Sequence, residues 1–341
     1  MDVVLILVIV FALVFEFING FHDTANSIAT TVYTKALPAA AAIALAAIMN
    51  FMGAFFSEGV AKTISSGLVG VPLADYVIMA ALLGAITWNL FTWWKGIPSS
   101  SSHALIGGLI GASLAFTYGS MGLQGILWDG LLQKVIIPMF TSPLIGFILA
   151  FLVMKAICKF CARLNHRKTS KVFLRLQIIS AAAVAFAHGT NDAQKTMGII
   201  TLALFTGGAL FVSPGVLAED ASHIPLWVKV LCAFTMAAGT SAGGWRIMRT
   251  MGHGVTKLDS VKGFAAETTS AIVIQVMTML HAPISTTQAI SSAVMGVGTA
   301  RRVSAVKWGK AKDIALTWVI TLPASITLGI AFVFILQVFF N

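Results

Sequence analysis

Residues 20–27 read GFHDTANS, and residues 189–196 read GTNDAQKT. Each octet opens on glycine and carries an aspartate at its fourth position, Asp23 and Asp192, 169 residues apart. Both lie in stretches apolar enough to enter a bilayer. A carboxylate there is expensive and faces a partner or a cavity. Two of them at matching positions decide how the chain is to be read.

The 341 residues are 58% hydrophobic and 10% charged, with a mean hydropathy of +0.91. A soluble domain carries about 25% charged residues, so this chain could not cover a water-facing surface. It reads as an all-α polytopic membrane protein. At about 20 apolar residues per crossing, about ten spans emerge, at 3–30, 38–57, 76–94, 101–118, 135–156, 174–206, 226–244, 264–281, 286–300 and 313–338. Counting broken or re-entrant pieces, that makes about 10–12 helical segments. The first and sixth spans are long and are expected to be interrupted by the two octets. The N-terminal run VVLILVIVFALVF has neither a positive region before it nor a cleavage site after it, and reads as a retained span.

The net charge is +10. Its lysines and arginines gather in three connections, around 155–175, 245–262 and 301–312. This is the positive-inside pattern, and no aromatic-and-basic groove suggests nucleic acid. Two spans separate neighbouring basic connections. With all three cytoplasmic, both termini fall outside, as does the acidic Glu219–Asp220 loop. Cys158 and Cys161 form CKFC without a second pair, and Cys232 stands alone; neither a zinc site nor a disulfide is expected.

A second pair of polar clusters follows the octets: IPSSSSHA at 97–104 and APISTTQA at 282–289. In each half two spans separate the aspartate octet from the hydroxyl run, and the halves start on opposite sides of the membrane. The expected organisation is therefore two inverted-topology repeats, 1–156 and 174–341, joined by a basic cytoplasmic linker, 157–173. Inverted repeats meeting near the midplane are a mark of secondary transporters.

The residue types suggest the chemistry. Asp23 and Asn26 share a helical face and offer the oxygens a hard cation takes. In the second octet the matching residue is Lys195, which can occupy a cation's place and neutralise Asp192. Ser100, Ser101 and Ser102, and Ser285, Thr286 and Thr287, open apolar segments. Helix N-termini there would offer amides and hydroxyls to an oxyanion, against the plainer reading of N-caps. Glu267 and Glu16 are further carboxylates for a proton or cation; Glu16 also suits a structural or interfacial role. Asn50 is the first-half counterpart of Glu267. His22 and His103 can titrate or simply hydrogen-bond. No HExxH spacing, phosphate-binding loop or Ser-His-Asp order is present, so no metal site, ATP use or enzyme activity is expected.

GFHDTANS and GTNDAQKT resemble the duplicated signature of the inorganic phosphate transporter (Pit) family, and PSSSSHALIG and PISTTQAISS resemble its second pair. WNLFTWW and WVITLPAS extend the likeness over essentially the whole chain, most nearly to bacterial low-affinity permeases. The resemblance implies a phosphate symporter driven by H⁺ or Na⁺, a homodimer, no resident cofactor, and in this branch a neutral metal–phosphate complex as a possible substrate. It implies cation coupling at Asp23, Asn26, Asp192 and Glu267, and phosphate contacts at Ser100–Ser102 and Ser285–Thr287, with Thr190 near. Lys195 departs from the Asn of sodium-coupled members, Asn50 from a glutamate and Gln288 from a His, which favours protons. The rivals are a sulfate permease of the same family, an ion channel and a non-transporting scaffold. Sulfate needs only donors, whereas HPO₄²⁻ also needs an acceptor, which the aspartates supply.

Overall fold

The computed structural model describes residues 3–208, 211–213, 216–217 and 223–340. Glu219, Asp220 and the start Met1–Asp2 lie outside the described residues, as does the side chain of Arg249. The regular elements of the described chain are helices, one short hairpin, β1 (Phe211–Ser213) with β2 (Val216–Leu217), and an isolated bridge between Val69 and Ile126.

The helices are α1 (Val3–Tyr33), α2 (Ala39–Gly53), α3 (Gly59–Ser66), α4 (Asp75–Lys95), α5 (Ser101–Thr117), α6 (Trp128–Leu131), α7 (Ile137–Cys161), α8 (His166–Thr206), α9 (Leu226–Ala242), α10 (Trp245–Gly254), α11 (Ser260–Met279), α12 (Thr286–Arg301) and α13 (Trp308–Phe340). A π-helical turn joins α6 to α7. Every span expected from the sequence coincides with a helix. Among the described residues, five segments are long and apolar enough to cross a membrane: α1, α4, the continuous run 128–161, 167–206 in α8, and α13. At 1.5 Å per residue, α5 is only about 26 Å long and α2 about 22 Å, short of a hydrocarbon core of about 30 Å.

The expectation that the octets interrupt their helices is corrected. α1 runs unbroken through Gly20–Ser27, and α8 through Gly189–Thr196. The glycines serve close approach instead. A Cβ at Gly20 would lie 2.6 Å from the Met236 carbonyl oxygen of α9, and one at Gly189 would lie 2.3 Å from that of Asn50 in α2. Small residues let membrane helices cross at short distance. A continuous helix also leaves no backbone group unsatisfied in lipid.

The basic stretch 157–173 is likewise mostly helical, only 162–165 lying outside α7 and α8. Asn165 caps α8 through the Arg167 and Lys168 amides, and Asp259 caps α11 through that of Lys262, as short polar side chains do at helix starts.

The helices pack in matched pairs. α1 lies on α9 and α8 on α2; α4 lies on α1 and α11 on α8; α13 covers α4 and α5, and α7 covers α11 and α12. The main core lies between α1, α4, α5, α8 and α9, around Phe15, Leu82, Leu105, Met197 and Met236. The three basic connections meet at one end, where Cys158, Cys161, Ser170, Asp259 and Arg301 are among the residues lining a cavity of about 320 Å³. At the other end Leu5 faces Gly207, and Phe340 stacks on Tyr76.

Candidate functional site

Two helix starts are the foundation of the site. Ser100 caps α5, its hydroxyl accepting the His103 amide at 3.1 Å, and Ser285 caps α12, accepting the Gln288 amide at 3.2 Å. The plain N-cap reading therefore holds for these two hydroxyls. The starts abut. Ser102 donates to the carbonyl of Ile284 at 2.8 Å. From there α5 leads towards the 122–127 end and α12 towards the basic end at Arg301. Two N-termini thus point at one region, each with first-turn amides and the positive end of its dipole.

The octet aspartates meet in that region. Asp23 Oδ2 accepts from Ser101 at 2.9 Å; Oδ1 accepts from Thr287 at 3.2 Å and lies 3.0 Å from His22 Nδ1. Asn26 donates to Thr287 Oγ1 at 2.8 Å, while its own carbonyl oxygen is buried without a partner. Asp192 Oδ2 accepts from Thr286 at 3.2 Å, and Oδ1 is ion-paired with Lys195. Lys195 also donates to Ser102 Oγ, and to the Ile284 carbonyl at 3.0 Å. All of these side chains are buried.

His188, one turn before Asp192, places Nε2 2.9 Å from Asp192 Oδ2 and Nδ1 3.2 Å from Asn50 Oδ1. Ligand atoms of Asp23, His188 and Asp192 come within 4.8 Å of one another, a set able to hold a cation. No histidine motif announced it: His188 precedes its octet, and its partners come from the i+4 position and from a distant helix. The arrangement offers carboxylate and amide oxygens for a cation, an ammonium already neutralising one carboxylate, and helix N-termini for an anion.

Glu267 occupies a separate buried site. Its Oε1 accepts from Thr30 at 2.5 Å, Thr31 at 2.8 Å and Gln177 at 3.0 Å, and Oε2 accepts from Ser180 at 2.5 Å. Four neutral donors from α1 and α8 thus surround one carboxylate on α11. Sequence reasoning found Glu267 but none of these partners. Asn50, its proposed counterpart, bonds Thr240 at 3.0 Å besides His188.

Other candidates stand apart. Thr190 is two residues from Asp192, about 200° round the helix, and bonds the Ala187 carbonyl and Gln275. His22 Nε2 lies 3.3 Å from Thr92 Oγ1. His103 is buried with neither ring nitrogen hydrogen-bonded, and Gln288 Oε1 is also unpartnered. Glu16 accepts from Thr196. Cys158 and Cys161 line the cavity at the basic end as free thiols, and Cys232 is a buried one.

Comparison with known proteins places the chain. Residues 19–329 match the sequence pattern of the phosphate transporter family. A probable low-affinity inorganic phosphate transporter of Bacillus subtilis (strain 168) is 48% identical over 346 residues, covering all of both chains. One of Rhizobium meliloti (strain 1021) is 48% identical over 92% of this chain and 91% of its own. A solved structure described as the sodium-dependent phosphate transporter superposes with a TM-score of 0.87, covering 99% of this chain and 100% of the other. At 24% identity, that likeness speaks for the fold.

Proposed function

The chain belongs to the phosphate transporter family, and from that premise we propose that it is a secondary active transporter importing inorganic phosphate by symport with H⁺ or Na⁺. The observation that carries the reading is the meeting of two hydroxyl-bearing helix starts, at Ser101–Ser102 and Thr286–Thr287, with Asp23 and Asp192. The helix starts supply donors to the anion. Asp23 accepts a proton or a hydrogen bond from HPO₄²⁻, or with Asn26 holds the coupling cation. Asp192 and Lys195 form the matching, internally neutralised half. The cation set of Asp23, His188 and Asp192 is also compatible with a metal–phosphate complex as cargo. Glu267 is the second coupling position.

The matched packing of α1 on α9 with α8 on α2, and of α13 on α5 with α7 on α12, supports two inverted repeats, 1–156 and 174–341, about a basic join, and ten crossings. The gathering of the three basic connections at one end supports a cytoplasmic assignment for that end, with both termini outside. Transport then alternates by one bundle rocking against the other around the enclosed site. The protein works as a homodimer in the cell membrane. Size measurement in a mild detergent tests the assembly.

Purified protein in liposomes takes up labelled phosphate when an inward proton or sodium gradient is imposed. Asp23→Asn and Asp192→Asn each abolish uptake while the protein still inserts. Absence of uptake under both gradients, with and without Mg²⁺, refutes the reading.

A further inference from the structure

Glu16 is buried in the apolar core of α1, α8 and α9, among Phe15, Met197 and Cys232. Thr196 donates to its Oε2, and Oε1 has no partner. Asn19, one turn on and so on the same face of the helix, has a buried carbonyl oxygen that is also unpartnered. Among the described residues these two oxygens lack a partner, and the only other donor acting on the Glu16 carboxylate besides Thr196 is the Asn19 side-chain amide. The contrast with Glu267, which accepts from four side chains, is chemical. Glu267 is furnished for a carboxylate, whereas Glu16 is not, and an ionised carboxylate with so little compensation is costly in such surroundings.

We infer that Glu16 is a proton-binding site of the transport cycle, protonated in this conformation, with Asn19 Oδ1 receiving the hydrogen bond of its carboxyl. One proton supplies the donor that both oxygens lack. Hard cations take about six or more oxygens, and the side chains of Glu16, Asn19 and Thr196 together offer four. The titratable groups facing Glu16 are Asp192 and Lys195 on α8 and the Cys232 thiol on α9. Lys195 directly precedes Thr196 in the chain. Once the Glu16 proton leaves, a second carboxylate competes with Asp192 for the Lys195 ammonium. Lys195 is then drawn from Ser102, the residue it holds in the first turn of α5. Proton occupancy at Glu16 thus sets the state of the paired helix starts. The inference rests on the symport reading above.

The test combines transport with spectroscopy. Glu16→Gln in liposomes exchanges labelled for unlabelled phosphate, but its acceleration by an inward proton gradient falls by about tenfold, the factor one pK unit represents. Acid-minus-alkaline infrared spectra of the wild type contain a protonated-carboxyl C=O band that Glu16→Gln lacks. A wild-type response to the proton gradient in Glu16→Gln, an unchanged band, or loss of a sodium response instead, overturns the proton assignment. If Glu16→Gln fails to insert, Glu16→Asp must shift the pH midpoint of uptake, and an unshifted midpoint overturns it. Wild type that moves no phosphate refutes the symport reading, and the infrared band still decides the state of Glu16.

Discussion

The ammonium of Lys195 donates to the hydroxyl of Ser102, joining the middle of α8 to the first turn of α5. The same ammonium pairs with Asp192 and reaches the Ile284 carbonyl at 3.0 Å. One side chain therefore ties an octet to both helix starts.

Lys195→Asn removes that tie and restores the amide found three residues after Asp23. Asp192 is left without its cation, and breaking a buried pair costs on the order of 3–5 kcal/mol. Uptake without sodium is expected to fall at least about tenfold, and added Na⁺ to restore part of it by filling the place of the ammonium. Initial rates of labelled phosphate uptake against Na⁺ concentration at fixed pH check this. Ion dependence unchanged from wild type contradicts the role given to Lys195.

Capping and binding hydroxyls separate by substitution. Ser100 is occupied by the His103 amide, so Ser100→Ala should lower thermal stability by about 1 kcal/mol with little change in half-saturation. Ser101 and Thr287 instead touch Asp23. Ser101→Ala and Thr287→Ala should each raise the half-saturation concentration for phosphate by about tenfold, as loss of a charge-assisted hydrogen bond does. Melting curves in detergent and uptake kinetics read the two effects independently.

Glu267→Gln keeps the shape of the second proposed coupling position and removes its charge. The Ser180 hydroxyl can turn to accept from the new amide, while Thr30, Thr31 and Gln177 still find a carbonyl oxygen. The variant should insert and bind phosphate, yet lose the dependence of uptake on the driving ion. Binding measured by phosphate-dependent thermal stabilisation, set beside gradient-driven uptake, distinguishes loss of coupling from loss of fold.

Gly189→Ala pushes a methyl group to within 2.3 Å of the Asn50 carbonyl oxygen. Backbone cannot yield as a flexible side chain can, and overpacking of this kind costs about 1–3 kcal/mol. The control is Gly119→Ala, which meets nothing within 4 Å. Melting temperature should fall for the first and stay level for the second.

The spans were legible because ten apolar runs leave few alternatives, and the structure forms a helix at each. Short α3 and α10 went unseen because neither carries an apolar run of membrane length. The octets misled for a physical reason. Gly, Asn, Asp and Thr are poor helix formers in water, but in lipid a broken helix exposes unpaired backbone. There Gly20 and Gly189 mark close crossings. Asp23, Asp192 and Lys195 could be found because charge in an apolar run is conspicuous. His188 and the four donors to Glu267 could not, since neutral side chains on helices far apart in sequence acquire meaning only where the helices meet.

The exchange of cover between the halves bears on how the protein is made. α5 rests on α13, and α12 rests on α7. α12 finds its cover waiting when it emerges from the ribosome, whereas α5 must wait until the other twelve helices have been synthesised. Until then its small-residue face, with Gly107 and Gly111 bare where they later meet Leu322 and Ile326, is open to lipid or to a chaperone of membrane insertion. The first turn of α5 at Ser101–Ser102 therefore gains its final support only when synthesis reaches α13, and premature release of the nascent chain yields a polypeptide with both octets and both hydroxyl runs but without that support.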